Sequence, residues 1–211
     1  MMSSIEFIYF DLGKVILNFD HAIGFRNLEQ LCGVSLQQSN EILFDQGLQD
    51  QYETGLIDCT QVYQEFCRQA EIVPSAEPTK ENFLRAIGDI FWANRPIIPV
   101  ITQLKARGFP MGVLSNTCDA HWQVAFSQHW ILRSLFDPLV LSYEEKSMKP
   151  DSGIYKAAIE RAGVKPEQIF FTDDRQENVD GAVAAGIDAE LFTGVPKLVS
   201  QLRDRGIEIN W

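Results

Sequence analysis

"IYFDLGKVILNFD", Ile8 to Asp20, decides how the rest of the chain is read. Four of the five residues before Asp11 are apolar, Glu6 being the exception, and Phe7 to Phe10 is unbroken. A short apolar run without polar alternation predicts a strand buried on both faces of a parallel sheet. The strand delivers a carboxylate, Asp11, at its carboxyl end, and two residues later comes Gly13.

Two further runs repeat the plan. "FPMGVLSN" ends in Ser115 and Asn116, and "QIFFTDD" ends in Asp173 and Asp174. A weaker run, "AELFT" at 189–193, follows. Helical patterns alternate with these: "PIIPVITQLKARG", "DSGIYKAAIERAG" and "ENVDGAVAAG", with Gly108, Gly163 and Gly186 where C-caps belong. This alternation predicts an α/β fold, a Rossmann-like parallel sheet with helices on both faces. Ligands of such sheets bind outside the carboxyl ends of the strands, so the polar residues of the three runs are expected to converge.

The segment 20–94 reads differently. "AIGFRNLEQLCG", "LQQSNEILF", "DCTQVYQEFCRQA" and "TKENFLRAIGDIFW" are amphipathic helical patterns with no strand between them. They predict a small all-helical unit inserted after the first strand, leaving 1–19 and 95–211 as the core. "VPSAEPT" at 73–79 is the one linker-like stretch.

Composition narrows the function. The 211 residues are 45% hydrophobic and carry a net charge of −11, with a pI near 4.7. No run of Lys or Arg supplies the basic patch that nucleic acid or an anionic membrane requires. Cys32, Cys59, Cys67 and Cys118 lack CxxC spacing and nearby His pairs, so reduced thiols in a cytoplasmic protein are expected, not a zinc site. The N-terminus has no basic n-region, and no apolar run reaches spanning length.

Asp11, Ser115-Asn116, Lys149 in "SMKPDSGIY", and Asp173-Asp174 with Asn178 in "FFTDDRQENV" form an ordered set. The set resembles the haloacid dehalogenase-like superfamily of aspartate-nucleophile hydrolases. The likeness spans the chain and places the helical insertion where that family carries its small helical cap. "DLG", "LSNT", "MKPD" and "FFTDD" look most like bacterial sugar-phosphate phosphatases near alpha-D-glucose-1-phosphate phosphatase, and are similar to the phosphatase domain of soluble epoxide hydrolases.

The resemblance implies a Mg²⁺-dependent phosphatase acting on a small phosphorylated metabolite as a monomer or homodimer. A carboxylate can attack phosphorus and form an aspartyl-phosphate that water hydrolyses, and Asp11 is placed for that role. Asp11, Asp174 and the Gly13 carbonyl are the implied Mg²⁺ ligands, with Asp173 supporting them and Asn178 orienting. Ser115 and Asn116 are the implied phosphate contacts, and Lys149 the charge that stabilises the transition state.

Gly13 departs from the family pattern. Most phosphatases of the superfamily carry an Asp there as general acid and base, whose loss costs ~10²–10⁴ in rate. Asp20 and His121 are candidate substitutes, although Asp20 also reads as a helix N-cap and His121 as a polar residue on a first helical turn. A dehalogenase also lacks that Asp, yet the Asp173-Asp174 pair favours metal and phosphoryl transfer. A non-catalytic protein binding a phosphorylated metabolite is the third reading, against which the retained charges weigh. Within "QDQYETGLID", 49–58, Tyr52, Glu53 or Gly55 is expected to approach the substrate.

Overall fold

The computed structural model describes residues 5–72 and 78–211, so most of the linker-like stretch lies outside the described residues. Seven strands occur among them: β1 (Phe7–Phe10), β2 (Leu17–Phe19), β3 (Phe91–Ala93), β4 (Met111–Ser115), β5 (Leu139–Leu141), β6 (Ile169–Asp173) and β7 (Asp188–Leu191). Five form a parallel sheet in the order β5-β4-β1-β6-β7. β1 is its middle strand, which is why its four residues are all buried and all apolar.

The sheet divides the apolar residues by period two. Ile8, Phe10, Val113 and Phe170 pack on one face, with Ile101 and Leu104 of the helix Ile98–Ala106 and Leu198 and Leu202 of the helix Val195–Asp204. Phe7, Tyr9, Leu114 and Phe171 pack on the other, with Ile154 and Ala158 of the helix Ser152–Ala162 and Ala182 of the helix Gln176–Ala184. The chain passes from β1 to β4 and β5 on one side, then crosses to β6 and β7 on the other. The crevice between β1 and β6 is therefore the switch point at which such sheets hold ligands.

Register sets the site. Phe10 pairs with Val113 and with Thr172. The next residue on each strand, Asp11, Leu114 and Asp173, thus stands at one level.

The insertion holds the helices His21–Cys32, Leu36–Asn40, Leu48–Glu53, Cys59–Gln69 and Lys80–Gly88. Asp20, Ser35, Asp58 and Thr79 cap four of them, Asp58 in a capping box with Gln61. The fourth helical pattern runs too far as read from sequence. The helix stops at Gly88, and Phe91–Ala93 instead pairs antiparallel with Leu17–Phe19, placing the Phe19 and Phe91 rings 5.9 Å apart. Gains from that cross-strand aromatic pair outweigh the helical periodicity. β2 and β3 thus form a stem at the foot of the insertion.

Candidate active site

Lys149 lies in the turn before the helix Ser152–Ala162 and is 3% exposed, so its charge must be answered inside the protein. Its ammonium donates to Asp11 Oδ1 at 2.7 Å, Asp173 Oδ2 at 2.6 Å and the Leu114 carbonyl at 2.8 Å. All three protons are used, on the three strand ends that register aligns. Burial alone lowers the Lys149 pKa, but Asp11 and Asp173 outweigh it and hold the group protonated.

Asn116 fixes the lysine from behind. Its side-chain oxygen accepts from the Lys149 amide at 2.8 Å, and its Nδ2 donates to the Lys149 carbonyl at 2.9 Å. The residue expected as a phosphate contact thus uses its amide group to position Lys149, while also lining the cleft. Ser115, 1% exposed, lies 3.2 Å from the Asn116 carbonyl and lines a side chamber next to Gly13.

Asp173 is saturated. It accepts from Lys149, from the Arg175 amide at 2.9 Å, and from Asn178 Nδ2 at 3.0 and 3.1 Å to its two oxygens. Asp174 is freer, with Lys14 at 3.6 Å. Carboxylate oxygens of Asp11, Asp173 and Asp174 lie within 4.8 Å of one another. Burial raises the Asp11 pKa to about 7, opposed by Lys149 and reinforced by Asp173. Asp174 is raised as well, by burial and then by Asp173. Crowded carboxylates of this kind suit a hard divalent cation, which takes oxygen donors and removes the repulsion. The backbone bonds of the turn after Asp11 go to the Leu12 and Leu17 oxygens, from the Ile16, Leu17 and Lys14 amides. The oxygen donors of Asp11 and Asp174, with Gly13 lining the same cleft, fit the ligand set that Mg²⁺ takes.

These groups open on a cleft of about 470 Å³, closed from the insertion by His21, Phe44, Gln49, Asp50 and Glu53. A cavity of about 490 Å³ within the insertion, lined by Gln46, Gln61 and Gln69 among others, includes none of the strand-end residues.

Gly13 has a structural partner. A Cβ built on it would lie 2.7 Å from Cε1 of Phe19, so the Phe19 ring fills the room that a side chain at 13 requires. Asp20 accepts from the Ala22 amide at 2.9 Å and pairs loosely with Arg26 at 4.0 Å, its side chain half exposed, which makes it the helix cap. His121 is 4% exposed, and burial lowers its pKa to about 3 while its ring bonds the Ile87 backbone. It lines the side chamber but not the main cleft.

Of the three insertion residues expected near the substrate, only Glu53 lines the cleft. Tyr52 is 1% exposed and turns its hydroxyl to the Ala120 amide at 3.0 Å, because a buried phenol needs a partner. Gly55, at φ +66°, lies against Tyr143, whose carbonyl oxygen is 2.1 Å from the position of a Cβ. Both are docking residues between insertion and core. His21, Gln49 and Arg175 were not picked out from sequence. His21 follows the predicted helix cap directly, and Gln49 opens the polar stretch 49–58, so a helix-face reading of either segment would have raised them.

A family model for haloacid dehalogenase-like hydrolase matches residues 7–186, which includes every strand-end group described above. The chain is a member of the haloacid dehalogenase-like hydrolase family. It is 30% identical over 120 residues to glyceraldehyde 3-phosphate phosphatase of Methanopyrus kandleri, covering 56% of this chain and 48% of that enzyme. It is 31% identical over 88 residues to (S)-2-haloacid dehalogenase 4A of Burkholderia cepacia, covering 42% of this chain and 38% of that enzyme. The chain thus aligns with less than half the length of either curated relative. The structure superposes on a HAD family enzyme of Bacteroides thetaiotaomicron, crystallised with magnesium and inorganic phosphate, at a TM-score of 0.77 and 25% identity, over 89% of this chain and 93% of that one. Among the described residues no helix is long and apolar enough to cross a membrane.

Proposed function

We propose that this hydrolase is a Mg²⁺-dependent phosphatase that cleaves a small phosphomonoester, of the sugar-phosphate class, through a phosphoryl group carried on Asp11. The observation that carries the reading is the Lys149 ammonium held between Asp11 and Asp173 at 2.7 and 2.6 Å, with Asp174 beside them. Bound by Asp11, Asp174 and the Gly13 carbonyl, Mg²⁺ would supply positive charge against the phosphate oxygens.

This chain's residues do the rest. Lys149 keeps the Asp11 carboxylate oriented and offers fixed positive charge beside the transferring group. Asn116 and Asn178 hold the lysine and Asp173 so that neither reorganises during the reaction. Gln49, Asp50, Glu53 and Arg175 at the cleft wall are hydrogen-bonding groups suited to a hydroxylated leaving group. The family resemblance to phosphatases, and the magnesium and phosphate complex of the Bacteroides relative, support the same chemistry. A haloacid dehalogenase would attack carbon and needs no Asp174.

The test is phosphate release from sugar 1-phosphates, sugar 6-phosphates and an aryl phosphate, with Mg²⁺, with EDTA, and with Asp11→Asn. Metal-dependent release lost in Asp11→Asn supports the proposal. Halide release from a 2-haloacid, unaffected by EDTA and without phosphate release, would establish the dehalogenase instead.

A further inference from the structure

Position 13 cannot supply an acid while the Phe19 ring fills the room beside it. Asp20 is committed to capping a helix, and the buried His121 lines the side chamber and a small neighbouring cavity but not the main cleft. His21 reaches the cleft and the side chamber, but its ring is packed between Phe19, Phe44 and His121 at centroid distances of 5.1, 4.7 and 5.6 Å. One further proton carrier reaches both spaces. Glu53 lines the main cleft with Asp11 and Lys149, and the side chamber with Gly13, Phe19 and Ser115.

Glu53 is also fixed from three directions. Ser142 Oγ donates to the Glu53 carbonyl at 2.6 Å, and Ser142 in turn accepts from the Thr117 amide at 2.9 Å, next to Ser115-Asn116. On either side, Tyr52 bonds the Ala120 amide and Gly55 lies against Tyr143. Its Oε1 accepts from Gln49 Nε2 at 2.8 Å, while no described residue bonds Oε2. The backbone is thus pinned to the core by contacts that do not involve the carboxyl group.

We propose that Glu53 is the general acid and base of the reaction, delivered from the helical insertion in place of a side chain at position 13. The assignment rests on the phosphatase reading above. The Glu53 carboxyl gives its proton to the bridging ester oxygen as the phosphorus–oxygen bond breaks, leaving a neutral alcohol and the phosphoryl group on Asp11. The resulting Glu53 carboxylate takes a proton from the water that attacks phosphorus. The bond to Asp11 then breaks, releasing phosphate and restoring both carboxyl groups. Burial raises the Glu53 pKa against the opposing Gln49 bond, which favours the protonated form the first step needs.

The experiment compares a hexose 6-phosphate, whose alkoxide must be protonated, with 4-nitrophenyl phosphate, whose phenolate leaves without help. Single-turnover release of the leaving group is measured for wild type, Glu53→Gln, Glu53→Asp and His21→Gln, with folding checked by circular dichroism. Glu53→Gln is expected to slow the hexose phosphate ~10²–10⁴-fold, to leave nitrophenolate release within about tenfold, and to be partly rescued by Glu53→Asp. Equal losses on both substrates would overturn the assignment, as would a leaving-group-dependent loss in His21→Gln in place of Glu53→Gln. Wild type that is inactive on both substrates would overturn the phosphatase reading and this proposal with it.

Discussion

Gly13→Ala adds a single methyl group, and the structure says where it goes. The new carbon would lie 2.7 Å from Phe19 Cε1 and 3.4 Å from Cδ1. Carbon atoms attract best at about 3.5–4.0 Å, so the ring must retreat by roughly 1 Å. It has little room, since it packs 5.1 Å from His21 and 5.9 Å from Phe91 between ring centroids. Overpacking of this kind costs ~1–3 kcal/mol. The same change stabilises by about 0.4–1 kcal/mol through the unfolded chain, so the single variant shows only the difference. A double-mutant cycle removes that offset, because it is equal in both backgrounds. Combined with Phe19→Ala, the methyl meets no ring and its native-state cost vanishes. The expected coupling energy is ~1–3 kcal/mol, read from urea unfolding midpoints at constant m. A Gly13→Ala effect that is the same with and without Phe19 would refute the claim that the ring excludes a side chain from position 13.

Lys149→Met leaves Asp11 and Asp173 without their cation and is expected to destabilise by ~3–5 kcal/mol at neutral pH. Burial holds the folded pKa of Asp11 above its unfolded value, so the penalty shrinks as pH falls; unfolding curves at pH 5 and pH 8 with equal penalties would contradict this. Asp11, raised from 3.8 to about 7, contributes stability present below its unfolded pKa and lost as pH rises through the folded one. Mg²⁺ at the proposed site would take the ionised form, so its thermal stabilisation should be larger at pH 8 than at pH 5 and mostly absent in Asp174→Asn, and a pH-independent shift would count against the site. Gly55→Ala places a methyl 2.1 Å from the Tyr143 carbonyl oxygen at φ +66°, and backbone cannot yield cheaply. It should lift segment 52–55 from the core, raising KM and speeding proteolysis of the insertion; unchanged values of both would show that the contact is dispensable.

The parallel sheet was legible because β1, β4 and β6 are apolar on both faces and end in polar residues. That signature needs no knowledge of partners. β5 was not legible, since Leu139–Leu141 is too short to show a period. β3 was hidden inside a helical pattern, because what makes Phe91 a strand residue is Phe19, 72 positions earlier along the chain. The strand-end acids and Lys149 could be picked from motif order alone. The work of Asn116 could not, because its bonds go to a backbone 33 residues away. The polar, turn-like setting of 49–58 makes Tyr52, Glu53 and Gly55 equal candidates to face the substrate, and what withdraws Tyr52 and Gly55 is their contact with Ala120 and Tyr143, which only the tertiary fold brings beside them.

The apolar interior of the insertion counts Cys118 and Ala120 among its buried members, packed with Phe25, Val62, Phe66 and Phe83. Those two residues belong to the core, directly after Ser115-Asn116. The helical unit is therefore no interchangeable cassette. A graft of a relative's helices onto this sheet would inherit the wrong plug at 118–120, with a void or a clash where the two meet. A change in the lining of the insertion therefore has to be matched at 118–120, so altering what covers the site means altering the scaffold beside it as well.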